Sequence, residues 1–155
     1  MLILGIDPGI NGGWALLSDS KTLETFSFSN KSEKEISNSL AFIRPDYAFL
    51  ERVHAAPGQG VSSMFTFGQA YGFIRGCLSS RLISFENITP QKWQGILGVP
   101  NRNGKSYNEH KRLLKGLAEK LYPGHKITLA NADAILIAHA GMTLKKRKVR
   151  HLTDV

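Results

Sequence analysis

The stretch Met1-Leu2-Ile3-Leu4-Gly5-Ile6-Asp7-Pro8-Gly9 decides how the chain is read. Its apolar residues predict a strand over 1–6, and Asp7-Pro8-Gly9 ends that strand with turn chemistry. An acid at the end of an apolar strand is costly unless it is paired, hydrogen-bonded or coordinated to an ion. Asp7 is therefore either a surface or capping carboxylate or one member of a site.

Beyond this turn, Gly12-Gly13 is followed by the apolar run Trp14 to Leu17, the turn Ser18-Asp19-Ser20-Lys21, and a second run from Leu23 to Phe28. The chain thus opens on an antiparallel three-stranded meander. Ile36, Leu40 and Ile43 share one side of a helix over 33–43, with Glu33 and Glu35 in its favourable first turn and Pro45 closing it. Tyr47 to Val53 reads as a fourth strand, apolar except for Glu51, and a helix between the meander and this strand predicts a mixed α/β architecture.

Residues 54–60 are a loop, and Ser62 is the expected cap of a helix to about Leu78. A fifth short strand is expected over Leu82 to Phe85. Thr89-Pro90 supplies the cap and first-turn proline of a helix through Trp93 and Leu97. After a loop from Val99 to Lys105, the run Ser106-Tyr107-Asn108-Glu109 fits a capping box and opens a helix with Leu113, Leu117 and Leu121 inward. Pro123-Gly124 stops it, and a last helix is expected from about Thr128 to Gly141. One domain over 1–144 and a basic tail over 145–155 complete the organisation.

The 155 residues are enough for one well-packed core, and 42% hydrophobic content is globular rather than disordered composition. The apolar stretch Ala134 to Ala140 is too short to cross a bilayer, and Asp7-Pro8 interrupts the only candidate leader. The expectation is no membrane partner and the cytoplasm of a bacterial host, for a cellular or phage-encoded protein. Cys77 is the only cysteine, so an internal disulfide and a thiolate metal cluster are excluded; it reads as a buried thiol. Twenty Lys and Arg against 12 Asp and Glu give a net charge of +8, which favours a polyanionic partner. The excess is concentrated over residues 92–126, where the acids are only Glu109 and Glu119, and in Lys145 to Arg150.

Glu51 and Asp133 repeat the problem posed by Asp7. Glu51 lies in or at the end of a strand, and Asp133 opens an apolar helix, where an anion is also favoured by the helix dipole. Taken singly each reads equally well as an ordinary surface or first-turn acid. Together they describe carboxylates from two strands and a helix at one edge of a sheet, with oxygen ligands suited to Mg²⁺ or Mn²⁺. Phosphodiester hydrolysis needs a deprotonated water, a held leaving oxygen and neutralised phosphoryl charge, which two divalent ions about 4 Å apart provide.

Five pieces in order carry a family resemblance: Leu4-Gly5-Ile6-Asp7-Pro8-Gly9, Phe49-Leu50-Glu51-Arg52-Val53, Phe67-Gly68-Gln69-Ala70-Tyr71-Gly72, Ile88-Thr89-Pro90-Gln91-Lys92-Trp93 and Ala132-Asp133-Ala134. Over about residues 1–142 the sequence resembles the RuvC family of Holliday-junction resolvases, especially its shorter phage-type members. The resemblance implies a ribonuclease H-like fold with a five-stranded mixed sheet flanked by helices, a homodimer, and metal-dependent nicking of opposing strands at a four-way junction. It implies that Asp7, Glu51 and Asp133 are catalytic metal ligands for two Mg²⁺ or Mn²⁺ ions, with a fourth acid three residues before Asp133. That position is Ala130, which offers no oxygen. An inactivated variant, a naturally degenerate relative, and replacement by another acid or a histidine are the three readings; the first implies a copy that binds junctions and cuts them poorly.

Gly68, Gly72 and Gly76 lie four residues apart on the second helix. Glycine costs about 1 kcal/mol per site relative to alanine there, so the stripe calls for close approach by another helix, from a second subunit or from within this one. Met64 or Phe65 is a candidate to insert at the crossover, with helix-face packing the alternative. Phe67 is expected in the core. Arg102, Lys105, Lys111, Arg112 and Lys115 are candidate phosphate contacts or a solvated face, and the tail would add salt-sensitive affinity. His139 reads as a core or edge residue, and His54 is noted only because it follows Glu51 toward a loop expected to face DNA. The rivals are another nuclease of this fold acting on RNA–DNA hybrids, a non-catalytic junction-binding or architectural protein, and an ATP-binding domain. The last is weakest, since no second phosphate loop is found and no nucleotide cofactor is expected.

Overall fold

A computed structural model describes residues 1–20, 23–52, 58, 60–100, 104 and 106–153, with the last four described by backbone alone. Ten elements follow in order: β1 (Leu2–Asp7), β2 (Gly13–Ser18), β3 (Leu23–Ser27), α1 (Glu33–Ala41), β4 (Tyr47–Glu51), α2 (Val61–Ser80), β5 (Phe85–Ile88), α3 (Pro90–Ile96), α4 (Tyr107–Leu121) and α5 (Ala132–Thr153).

The strands form one sheet in the order β3-β2-β1-β4-β5. The meander is antiparallel, with Asp7 opposite Gly13 and Trp14 opposite Phe26. β4 then pairs with β1 in parallel, and β5 with β4 likewise. Because β1 and β4 are neighbours running the same way, their C-terminal ends bring Asp7 and Glu51 to the same edge.

Each face of the sheet has its own core. Leu4, Ile6, Leu16 and Leu50 pack with Ile36, Leu40, Ile74 and Leu78 of α1 and α2. Ile3, Ala15, Leu17 and Phe49 pack with Trp93, Leu114 and the apolar residues of α5. Since α5 is buried on nearly every side from Ala132 to Ala138, it forms the centre of that layer.

Gly5 sets how near α5 can come. A Cβ at that position would run into the Ala138 nitrogen and the Ala134 carbonyl oxygen, so only glycine lets helix and strand backbones meet. That contact places the first turn of α5, and Asp133 with it, beside the end of β1.

Three boundaries differ from expectation. The fifth strand is Phe85–Ile88 rather than 82–85, because Leu82 (φ 56°) closes α2 instead of opening a strand. Its amide donates to Ser79 O and that of Ile83 to Leu78 O, a Schellman closure with Ile83 and Leu78 buried together. α2 is capped by Gly60 rather than Ser62, with no side-chain cap. The last helix runs from Ala132 to Thr153 rather than from about Thr128 to Gly141, so that residues 129–131 form a turn before it and the basic segment is carried as helix. Lys145 lies 3.0 Å over the Tyr47 ring and Lys146 pairs with Asp19 at 2.8 Å, which ties this stretch to the sheet. Cys77 is buried as a free thiol. Among the described residues no helix is long and apolar enough to cross a membrane.

Candidate active site

Asp7 is shaped by the turn that follows it. Gly9 donates its amide to Asp7 Oδ1 at 3.0 Å, and Gly12 N closes the turn on Gly9 O at 2.8 Å. A Cβ on Gly12 would strike the Asp7 carbonyl oxygen and lie 2.9 Å from its Cγ, so the glycine lets the loop fold over the acid. Burial raises the Asp7 pKa, and the nearby Asp133 charge adds to the rise, against the Gly9 amide and Lys111.

Glu51 ends β4 and accepts a hydrogen bond from Trp93 Nε1 at 2.9 Å. Trp93 is itself buried on α3, which the Thr89 cap and Pro90 start at this point. Burial first, then the Asp7 and Asp133 charges, push the Glu51 carboxyl up to about 8, while Trp93 and Lys111 pull it down.

Asp133 is 6% exposed in the first turn of α5. The turn before it is held by a reciprocal pair in which Thr128 N donates to Asn131 Oδ1 and Asn131 N to Thr128 Oγ1. Asp133 Oδ2 forms an ion pair with Lys111 Nζ of α4, and Asp133 Oδ1 is buried without a hydrogen-bond partner. Burial works to lower the Lys111 pKa, but attraction to Asp133 and Asp7 outweighs it and leaves the ammonium held above its ordinary value.

One open cleft of about 920 Å³ is lined by Asp7, Glu51, Lys111, Ala130 and Asp133. The three expected acids are therefore brought together from β1, β4 and α5, and Ala130 lies on the same wall, in the turn preceding the helix. Among the described residues no group of three or more His, Cys, Asp or Glu is close enough to hold a metal ion as placed. The cluster is electrostatically coupled rather than gathered on one point. The orphaned oxygen of Asp133 and the raised Asp7 and Glu51 are still what a cation-seeking cluster shows, and the donors are all hard oxygens suited to Mg²⁺ or Mn²⁺.

The remaining candidates are scattered by role. Phe65 is 69% exposed and Met64 half-buried at the start of α2, while Phe67, expected in the core, is half-buried and lines the cleft. Arg112 is exposed, Lys115 pairs with Glu119 along α4, and Lys111 faces Asp133 rather than solvent. Arg102, Lys105 and His54 lie outside the described residues. Among the described residues, the helix's own backbone aside, nothing lies within 4 Å of a Cβ at Gly68, Gly72 or Gly76, so close packing among them does not explain the stripe. His139 Nδ1 sits 2.7 Å from the Tyr122 hydroxyl, an edge histidine as expected. The reading of the sequence alone missed the Trp93–Glu51 and Lys111–Asp133 pairs. The helical spacing of Trp93 and Lys111 carries their element but not which acid they meet.

No family model matches the sequence, and no curated protein matches it as a relative. Solved structures do match. The chain superposes on Thermus thermophilus RuvC with a TM-score of 0.64 at 16% identity, covering 96% of this chain and 97% of that one. The T. thermophilus RuvC complex with a Holliday junction substrate gives 0.62 at 17% identity, over 95% and 96% of the two chains. The Fowlpox virus resolvase complex with substrate Holliday junction DNA gives 0.55 at 16% identity, over 92% and 97%. The likeness is one of fold: the five-stranded mixed sheet and its helices are arranged as in RuvC and other Holliday junction resolvases.

Proposed function

We propose that this chain is a metal-dependent, structure-selective endonuclease fold for four-way DNA junctions, and that with Ala130 it binds junctions far better than it cuts them. The observation that carries the reading is the convergence of Asp7, Glu51 and Asp133 from three elements on one open cleft, in a fold shared with proteins solved on junction DNA.

Asp7 and Glu51, at the ends of adjacent parallel strands, are the pair to share an ion, and Asp133 Oδ1 is the buried oxygen left to complete its coordination. Bound Mg²⁺ or Mn²⁺ supplies an acidified water and neutralises charge developing on the phosphoryl group. The chain's own part is to hold the acids: the Gly9 amide on Asp7, the Trp93 indole on Glu51, and the Gly5 contact that seats α5. Ala130 can add no oxygen, which is why cutting is weak.

Metal chemistry is indifferent to branching, so selectivity for a junction has to come from a symmetric pair of sites. The exposed stripe Gly68, Gly72 and Gly76 on α2 leaves room for a second copy of that helix, and exposed Phe65 stands at the opening of α2 where bases at a crossover could be met. Arg112, exposed on α4, is the candidate for phosphate contact.

A second reading, a non-catalytic junction-binding protein, is favoured by Ala130 and by the Lys111 ammonium already on Asp133. The two part on a labelled four-way junction compared with linear duplex and RNA–DNA hybrid, in Mg²⁺ and Mn²⁺, using this chain and Ala130→Asp. Junction binding by both, with opposing nicks only from the variant, supports the nuclease reading. Binding without cutting by either chain in either ion overturns it for the architectural one, and preferential cleavage of the hybrid overturns the junction.

A further inference from the structure

The cleft holds a cation of its own. Lys111 reaches from the second turn of α4 to Asp133 Oδ2, its side chain only 21% exposed, with its ammonium 5.8 Å from the centre of the Tyr107 ring. The Ser106–Glu109 capping box fixes the start of α4, so this placement is built into a well-closed helix end. Asp7 and Glu51 both feel the same ammonium.

With all three acids ionised, as binding of a divalent ion requires, the carboxylates and one ammonium leave two net negative charges, which a single divalent ion neutralises. The donors divide in the same way. Asp7, Glu51 and Asp133 Oδ1 are available to an ion, whereas Asp133 Oδ2 is taken by Lys111 and position 130 presents a methyl group. A second ion would have no net negative charge left to neutralise, and neither Asp133 Oδ2 nor position 130 offers it a ligand oxygen.

The geometry points to Lys111 as a built-in cation that takes the second metal's place at Asp133, so that this chain binds one divalent ion per protomer. The inference rests on the metal-site reading above and deepens it. It also assigns Lys111 to the carboxylate cluster rather than to the phosphate-binding face of α4.

Calorimetric titration of the DNA-free protein with Mn²⁺ at pH 8, with Mn²⁺ electron paramagnetic resonance to count bound ions, tests this on three chains. This chain and Lys111→Arg are expected to bind one Mn²⁺ with affinities within about three-fold of each other, since both keep the cation. Lys111→Met, of similar apolar length, is expected to bind Mn²⁺ at least ten-fold more tightly, because the ammonium no longer opposes the ion. Two ions bound by this chain itself would overturn the inference, and that count needs no variant to fold. One ion in this chain with no gain in Lys111→Met overturns the role of Lys111 and leaves the nuclease reading standing. No Mn²⁺ bound by any of the three overturns both.

Discussion

The Trp93 indole donates to Glu51 Oε1 at 2.9 Å across 42 residues of sequence, linking the first turn of α3 to the end of β4. This bond holds the Glu51 carboxylate in place, and it favours the ionised form that an ion requires. Trp93→Phe keeps an aromatic ring but removes the donor. Stability is expected to fall by about 2–3 kcal/mol, combining lost volume with an unpartnered buried acid. Mn²⁺ affinity near pH 7 should fall and return as pH is raised, because Glu51 then gives up its proton without help. A loss of affinity that stays constant with pH would show a merely structural effect.

Glu51 also makes the metal-free protein sensitive to alkali. Its folded value of about 8 lies above the ordinary glutamate value of 4.5, so between those pH values the native state holds a proton that the unfolded chain does not. Stability from this group is therefore present below about pH 4.5, declines as pH rises toward 8, and is flat above. Glu51→Gln should melt with the parent at pH 5 and several degrees above it at pH 8.5 in EDTA, because a tenfold change in proton affinity on folding is worth about 1.4 kcal/mol. Parallel melting curves across that range would rule out the buried, uncompensated carboxyl.

Gly5→Ala should be severe for a small change. The new methyl meets α5 backbone rather than a flexible side chain, so the helix has to move away from the sheet. A loss of about 3 kcal/mol, or roughly 10 °C in Tm, is expected. Mn²⁺ binding should weaken as well, because Asp133 rides on the displaced helix.

Leu82→Gly should act in the opposite sense. Leu82 holds φ 56° while 92% exposed, so its side chain contributes little packing to offset a conformation that costs an L-residue about 1–2 kcal/mol. A rise in Tm of about 2–4 °C, with junction binding unchanged, is the expected outcome in a thermal melt.

Gly72→Phe tests the pairing of subunits. The position is exposed with open space above it, so the monomer should keep its Tm. The dimer proposed above predicts that in sedimentation the parent associates where the variant stays monomeric, and that the variant loses preference for a junction over a duplex. A dimeric variant would move the interface away from this stripe.

Much of this was legible in the residues. The alternation of apolar runs and turns around Asp7-Pro8-Gly9 and Gly12-Gly13 gave the meander, and the acids stood out because they interrupted apolar elements. The misplaced fifth strand had a local cause: Leu82 and Ile83 read as strand residues, but a Schellman closure uses Ile83 to seal α2 and gives Leu82 an unusual conformation. The end of the last helix was missed because lysines and arginines carry no apolar stripe, while the contacts that hold Lys145 and Lys146 come from β4 and the β2–β3 turn. Lys111 shows the deeper difficulty. Its charge was visible, but whether it faces a phosphate or a carboxylate depends on how α4 packs against α5, which spacing along one helix does not encode.

Ala130 sits in a turn whose hydrogen bonds run between Thr128 and Asn131 and leave its own side chain out of the scaffold. The residues that shape this turn and the position that, on the proposed function, separates a cutter from a binder are thus different residues. From half of the alanine codons a single base change gives aspartate. On the function proposed above, a lineage carrying this scaffold would therefore cross between nuclease and junction-binding protein, in either direction, in one mutational step that leaves these turn hydrogen bonds in place.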